Sequence, residues 1–339
     1  MKKILVTGAA GFIGANLVMR LLESGEPLRI VGLDNMNSYY DPALKEYRLR
    51  LIEAKAARQR EQGGNWEFVR GSIADRELVE RVFAAEGFDI VVNLAAQAGV
   101  RYSIENPDAY MESNVMGFYN ILEACRRHPV KHLVYASSSS VYGGNKKVPF
   151  STDDRVDSPV SLYAATKKSN ELMAHCYSKL YGIPATGLRF FTVYGPAGRP
   201  DMAYFGFTDK LCRGEKIQIY NFGNCRRDFT YIDDIVEGVV RVMEQGPKSP
   251  IYNIGGGRPE NLLDFVQILQ EELVRAGLLP QDYDFEAHKE LVPMQPGDVP
   301  ETYADTSALE RDFGFKPSTT LREGLRNFVE WYKMYCFQK

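Results

Sequence analysis

Tyr163 and Lys167 stand four residues apart at the start of a helical stretch, Tyr163-Ala164-Ala165-Thr166-Lys167. Residues four apart share one face of a helix, so the phenol and the ammonium point the same way. A free tyrosine loses its proton near pH ~10, and a neighbouring cation stabilises the phenolate and lowers that value. Such a phenolate can take the proton of a substrate hydroxyl while a hydride leaves the same carbon. The spacing recurs by chance and means little alone. Here it follows Ala136-Ser137-Ser138-Ser139-Ser140-Val141-Tyr142-Gly143. At the carboxyl end of a parallel strand such hydroxyls face the ligand crevice, and one of them can hold the oxygen that Tyr163 deprotonates. Asn93-Leu94-Ala95-Ala96-Gln97 ends another strand beside the same crevice.

The first turn of the chain has the pattern of a dinucleotide site. Val6-Thr7-Gly8-Ala9-Ala10-Gly11-Phe12-Ile13-Gly14 places three glycines at spacing three between a strand and a helix. Glycine permits the positive φ of a tight turn and lets a pyrophosphate approach the backbone, and the helix that follows offers unpaired N–H groups. This is a variant of the GxGxxG fingerprint. Asp34 follows Gly14 by twenty residues, at the end of the second strand. A carboxylate there accepts bonds from both ribose hydroxyls and repels a 2′-phosphate. The next residue is Asn35, not Arg, which favours NAD over NADP. The plainer reading of Asp34 is a strand-end turn cap.

These residues need a scaffold, and the chain alternates short β-branched runs with longer helical stretches. Strands are expected at Ile4–Val6, Arg29–Leu33, Glu67–Arg70, Ile90–Leu94, Lys131–Ala136 and Ala185–Arg189. Helices are expected at Asn16–Leu22, Asp75–Ala85, Pro107–Arg127 and Tyr163–Tyr181. Alternation of this kind implies βαβ units and a doubly wound parallel sheet. Residues Met36–Gly64 interrupt it, and their charge suggests a solvated helix inserted after the second strand. After Arg189 glycine and proline become frequent, which marks a smaller α/β substrate-binding part. Arg227–Met243 has the pattern of a loop and a helix that return to the first unit. Leu262–Ala276 and Leu321–Tyr335 are expected C-terminal helices. The expected division is therefore 1–189, rejoined by about 227–252, for the Rossmann domain, and 190–226 with 253–339 for the second.

The remaining composition is that of a globular enzyme. Among 339 residues, 41 Lys and Arg face 44 Asp and Glu, a formal net charge of -3. That balance argues against nucleic acid or an anionic membrane as partner. No apolar run approaches the ~20 residues of a membrane span. Five cysteines at wide spacing, with no CxxC, fit reduced thiols in the cytoplasm. His128 and His132 straddle a proline, and a surface or turn role is expected for both in place of a metal site.

Taken in order, TGxxGxxG, the Asn93–Gln97 run, the serine cluster before Val141-Tyr142-Gly143, and YxxxK resemble the extended short-chain dehydrogenase/reductase superfamily over nearly the whole chain. The resemblance implies a Rossmann domain with a smaller nucleotide-sugar domain. It implies Ser138 as the catalytic hydroxyl, Tyr163 as acid/base and Lys167 as its orienting cation. It places NAD along Gly8, Gly11, Phe12, Ile13, Gly14, Asp34, Asn35, Asn37, Ser72, Ile73, Leu94, Ala95 and Ala96, with Tyr163 and Lys167. Gly71-Ser72-Ile73 departs from the family, which usually has an Asp near the adenine.

Longer stretches are similar to UDP-glucuronate 4-epimerases in particular: Gly32–Asn37, Ala96–Ser103, Arg189–Pro196, Gly198–Ala203 and Met294–Pro300. That similarity implies Arg227 on the pyrophosphate and Asp298 on the UDP ribose. It implies Ser138, Ser139, Ser140, Thr192 and Arg199 around the sugar carboxylate; a guanidinium can fork onto such a group with two parallel bonds. The expected reaction is inversion of C4 through a 4-keto sugar with recycled NAD. UDP-glucose 4-epimerase is the nearest alternative. UDP-glucuronate decarboxylases and 4,6-dehydratases usually carry an acid beside the catalytic hydroxyl, where Ser139 and Ser140 stand here. A non-catalytic dinucleotide-binding protein is the remaining alternative. Relatives often form homodimers through the helices expected at Pro107–Arg127 and Tyr163–Tyr181. On the first of these, Tyr110 and Asn114 are expected to face the active site.

Overall fold

The computed structural model describes residues 1–61, 63–294 and 301–337. The apolar run after Lys2 forms β1 (Lys2–Thr7), and the glycine turn leads into α1 (Phe12–Leu22). The alternation continues through β2 (Leu28–Asp34), α2 (Pro42–Arg60), β3 (Asn65–Arg70), α3 (Arg76–Glu86), β4 (Ile90–Asn93), α4 (Gly117–Arg127), β5 (His132–Ser138), α5 (Leu162–Tyr181), β6 (Ala185–Phe190), α6 (Ile232–Gln245) and β7 (Ile251–Ile254). The seven strands make one parallel sheet in the order β7-β6-β5-β4-β1-β2-β3. The fold class is thus α/β with a Rossmann-like sheet. Strands this apolar bury both faces: every residue of β4 is buried, and so are the last four of β1. The chain runs outward from β1 to β3 and then restarts at β4 on the other side of β1. That reversal opens a crevice at the carboxyl ends of β1 and β4, where ligands bind in open α/β sheets. Thr7 Oγ1 donates to Asn93 Oδ1 at 2.7 Å and accepts from Ala95 N at 3.1 Å, which ties those two strand ends together.

The smaller layer is built on strand Arg226–Tyr231. It pairs in parallel with Thr192–Tyr194 and Glu301–Thr302, and antiparallel with Pro259–Asn261. Helices Ala203–Cys212, Leu262–Arg275 and Leu321–Phe337 cover it. Aromatic rings join these pieces: Phe229 stacks on Phe265 with centroids 4.4 Å apart, and Tyr204 meets Phe328 edge-on at 4.8 Å. Arg227 therefore stands on a strand that precedes α6, not on a loop.

Three further expectations are corrected here. The segment 36–64 is not a solvated appendage. Its helix starts at Asp41, whose side chain accepts from Ala43 N, with Pro42 in the first turn. One face then buries Leu44, Tyr47, Ile52 and Ala56, and with them Lys45, Arg48 and Gln59. Buried cations disguise that face as a polar one. The second correction concerns 107–127, which is not one regular helix. Pro107–Tyr110 and Gly117–Arg127 are α-helical, but Met111–Met116 is a π-helical turn. The looser turn exposes the Asn114 carbonyl to Asn170 Nδ2 at 2.7 Å, a side-chain insertion of the kind that opens helices. His132 is also a buried strand residue, with Nε2 2.9 Å from Thr186 Oγ1 and its pKa pushed down to about 4 by burial.

Candidate active site

The glycine turn is shaped by close approaches. Gly8 has φ +70°, and a Cβ there would fall 2.8 Å from Ala95 N. A Cβ on Gly14 would fall 2.1 Å from Gly8 O. Only glycine fits both places, so β1, the turn and α1 meet the β4 end with no side chain between them. Gly11 caps α1 without a side-chain bond, which leaves the first N–H groups of the helix facing the crevice. Asp34 is buried at the end of β2. Its carboxylate accepts from Met36 N at 2.8 Å and Ala10 N at 3.2 Å, and Lys45 Nζ lies 3.4 Å away. Lys45 also donates to Asn37 Oδ1 at 2.9 Å. A bare glycine cradle, uncapped helix N–H groups and a strand-end carboxylate fit the pyrophosphate and adenosine ribose of NAD.

Ser138, Tyr163 and Lys167 line the same cavity as the glycine turn. Ser161 positions the last two: its Oγ accepts from Ala164 N at 3.1 Å and starts α5, which puts Tyr163 in the first turn. Ser138 ends β5, and its Oγ accepts from Ser140 N at 3.1 Å and donates to Ser140 Oγ at 3.0 Å. Lys167 is buried and donates from Nζ to Ala136 O at 2.9 Å. Burial pushes its pKa down to about 8. Burial also dominates at Tyr163 and pushes it above its ordinary value, against the smaller opposing pulls of Ser138 and Arg199.

A buried network locks the strand and helix that carry these groups. Arg189 on β6 grips Glu171 with Nε and Nη2 at 2.8 and 2.9 Å, and Ser137 Oγ donates to Glu171 at 2.7 Å. Glu171 lies one turn beyond Lys167, and Ser137 adjoins Ser138. Breaking a buried pair leaves an uncompensated charge and costs about 3–5 kcal/mol. Glu171→Ala is expected to lose stability on that scale, read as a lower urea midpoint at unchanged m-value.

Opposite Tyr163 stands Arg199, which also lines the cavity. Asp201 holds it side-on, with Nε 3.0 Å from Oδ1 and Nη2 on Oδ2. Tyr39 OH donates to the same carboxylate at 3.1 Å. Partial burial works to raise Asp201, but Arg199 overrides it and holds the carboxylate below its ordinary range. The side-on grip occupies the Nε–Nη2 edge of the guanidinium.

The cavity therefore brings together Gly8, Gly11, Phe12, Ile13, Gly14, Asp34, Asn35, Asn37, Ser72, Ile73, Leu94, Ala95, Ala96, Ser138, Tyr163, Lys167 and Arg199. Ser139, Ser140, Thr192 and Arg227 are not among its lining residues. Thr192 lies on the strand paired to Arg226–Tyr231, and Arg227 donates to Arg226 O at 3.0 Å. Asp298 lies outside the described residues. Tyr110 and Asn114 act as supports: Asn114 brackets the Gln97 backbone at 2.8 and 3.0 Å, and Tyr110 OH donates to Ala98 O at 2.9 Å. Sequence reasoning missed Tyr39, Lys45, Arg48 and Asp201. The one available signal was Tyr39-Tyr40 directly before the helix start at Asp41-Pro42.

Comparison with known proteins agrees with this geometry. Residues 4–255 match the family model "NAD dependent epimerase/dehydratase family". UDP-glucuronate 4-epimerase 4 of Arabidopsis thaliana is 45% identical over 350 residues, spanning 98% of this chain and 75% of its own. A UDP-glucuronic acid 4-epimerase from Bacillus cereus, solved in complex with UDP-glucuronic acid and NAD, superposes with a TM-score of 0.85 at 32% identity, covering 98% of this chain and 99% of that one. A UDP-glucose 4-epimerase from Thermotoga maritima, solved with UDP-glucose, superposes at 0.83 with 30% identity, covering the same shares.

Proposed function

The chain belongs to the NAD-dependent epimerase/dehydratase family, and from that premise we propose that it inverts C4 of UDP-glucuronate to give UDP-galacturonate. The observation that carries this reading is Arg199, a guanidinium in one cavity with Ser138, Tyr163 and Lys167. A neutral hexose needs no such cation, whereas a uronate does.

NAD held by the glycine turn and Asp34 would supply a reversible hydride acceptor at C4. Ser138 holds O4 and Tyr163 removes its proton, with the Lys167 ammonium stabilising the phenolate. The 4-keto sugar turns over in the pocket, and Tyr163 gives the proton back to O4 on the other face. The keto intermediate is a β-keto acid. Arg199 holds its carboxylate away from the alignment that C–C cleavage requires, which suppresses loss of CO₂. Ser140 joins the anion cage in this reading through its 3.0 Å bond from Ser138 Oγ, and Ser139 and Thr192, which do not line the cavity here, would complete it only by turning toward bound substrate. Arg227 takes the pyrophosphate and Asp298 the UDP ribose. Residues 1–189 with about 232–254 hold the cofactor, and the rest of the chain holds the nucleotide sugar; the expected return at 227 moves to 232 because strand Arg226–Tyr231 pairs within the smaller layer. The parallel pairing of β7 with β6 supports that division.

The test is incubation of the purified protein with UDP-glucuronate and no added NAD, with products identified by NMR. UDP-galacturonate without CO₂ is the expected result. A pentose product, or turnover of UDP-glucose alone, overturns the reading.

A homodimer is part of the proposal. Met111 and Met116 expose 46% and 52% of their surface, and Leu172, Leu180 and Tyr181 on α5 expose 58%, 67% and 51%. The two segments carrying them pack against each other, and exposed apolar patches of this kind mark interfaces. Leu172→Arg is expected to shift the mass in light scattering from about twice 38.3 kDa to the single-chain value. Among the described residues no helix is long and apolar enough to cross a membrane. Five free thiols support a cytoplasmic location.

A further inference from the structure

Arg48 has no solvent exposure at all, and its four hydrogen bonds go to neutral oxygens. Nε donates to Ala197 O at 2.9 Å, Nη2 to Gly198 O at 2.8 Å, and Nη1 to Ala10 O at 3.0 Å and Tyr40 OH at 2.6 Å. Burying a charge is costly unless its donors are satisfied. This one is satisfied by two loops that are distant in sequence. Ala10 lies in the glycine turn that fits the pyrophosphate. Ala197 and Gly198 immediately precede Arg199. Ala197 is itself a buried non-glycine residue at φ +55°, a conformation that persists only where surrounding contacts over-determine it. The Arg48 bonds to both carbonyls of that turn are such contacts. A second tie comes from the same inserted segment, where Tyr39 OH reaches Asp201, the partner of Arg199.

We propose that Arg48 is a positioning residue that fixes the turn carrying Arg199 to the dinucleotide turn, so that the cofactor cradle and the carboxylate clamp move as one unit. This rests on the reading of Arg199 given above. The guanidinium geometry matters more than the charge. A lysine at 48 would keep the cation but could not span three carbonyls from one planar fork.

The test uses Arg48→Lys and the double variant Arg48→Lys with Ala197→Gly. Kinetics on UDP-glucuronate are compared with the Kd for UDP, and the rise in Tm on adding NAD to cofactor-stripped protein is measured. In Arg48→Lys, KM for UDP-glucuronate is expected to rise at least tenfold while kcat stays within threefold and the Kd for UDP within twofold. The NAD-induced rise in Tm is expected to fall by half or more. Ala197→Gly in that background relaxes the left-handed turn and is expected to recover most of the KM. The proposal is overturned if KM stays within twofold of the wild type. It is equally overturned if KM and the Kd for UDP rise together, which would signal general damage. Should Arg48→Lys fail to fold, Tyr40→Phe removes one of the four contacts and is judged by the same pattern, with a threefold rise in KM as its threshold. If the wild-type protein does not epimerise UDP-glucuronate, the functional reading has failed. The thermal shift then still decides whether Arg48 serves the dinucleotide turn, an unchanged shift overturning it.

Discussion

Tyr163→Phe is expected to lower kcat for C4 inversion by about 10²–10⁴-fold, the range that a positioned general acid–base contributes. The substitution removes one oxygen and leaves the ring, which packs edge-on to Tyr110 at 6.0 Å. Fold and substrate affinity should therefore survive, with Tm and KM within experimental reach of the wild type, and the loss should fall on kcat. The pH profile gives a sharper form of the same expectation. Burial puts Lys167 at about 8 and raises Tyr163 above its ordinary value. The working form is phenolate with ammonium, which carries one proton fewer than the pair at neutral pH. Lys167 is the group of the site that burial brings nearest to neutrality, at about 8, so the site is expected to lose its first proton there. The log of kcat/KM should then climb with unit slope up to about pH 8 and level above it. In Lys167→Met the inflection should move up to the raised value of Tyr163 itself. A flat profile between pH 6 and 8 in the wild type would contradict the assignment.

The parts of this site that sequence revealed are those whose chemistry has a fixed local spacing. A glycine turn between a strand and a helix, an Asp at the second strand end, and Tyr and Lys four apart on a helix each depend on neighbours along the chain. Their positions in the sheet follow from alternation, since parallel strands with apolar faces must be covered by helices. The parts that stayed hidden depend on distant contacts. Arg48 and Lys45 gave α2 the look of a solvated helix, because a polar side chain in sequence carries no sign of whether water or a carbonyl will satisfy it. The π-helical turn at Met111–Met116 is set by Asn170, more than fifty residues later. Asp201 stands two residues after Arg199 in sequence, but its side-on grip depends on backbone turns that the Gly198-Arg199-Pro200-Asp201 spacing does not encode. Burial is another such distant contribution: desolvation is the largest influence on Tyr163 and raises it, which the YxxxK spacing does not encode.

Arg199→Gln is the change that should most alter which sugar the protein accepts. A hydrogen bond to a charged group is worth about 1.5–3 kcal/mol, so kcat/KM for UDP-glucuronate is expected to fall by about 10- to 10²-fold. UDP-glucose has no carboxylate to lose, and its kcat/KM should change by less than about tenfold, so the preference between the two sugars narrows or inverts. Asp201 makes the loss larger than the missing bond alone. With Arg199 gone, nothing holds the Asp201 carboxylate against Tyr39 except the phenol, and its negative charge is left to repel the incoming uronate. Adding Asp201→Asn to Arg199→Gln should therefore recover part of the lost affinity. The two sites share one interaction, so their effects should not add. A different readout separates orientation from affinity. If Arg199 keeps the carboxylate of the 4-keto sugar out of line with the carbonyl, the variant should release CO₂ and form a pentose in a fraction of turnovers, visible in the same NMR assay. Reduced affinity with no pentose would confine Arg199 to binding. An unchanged preference between the two sugars would show that the carboxylate is held elsewhere.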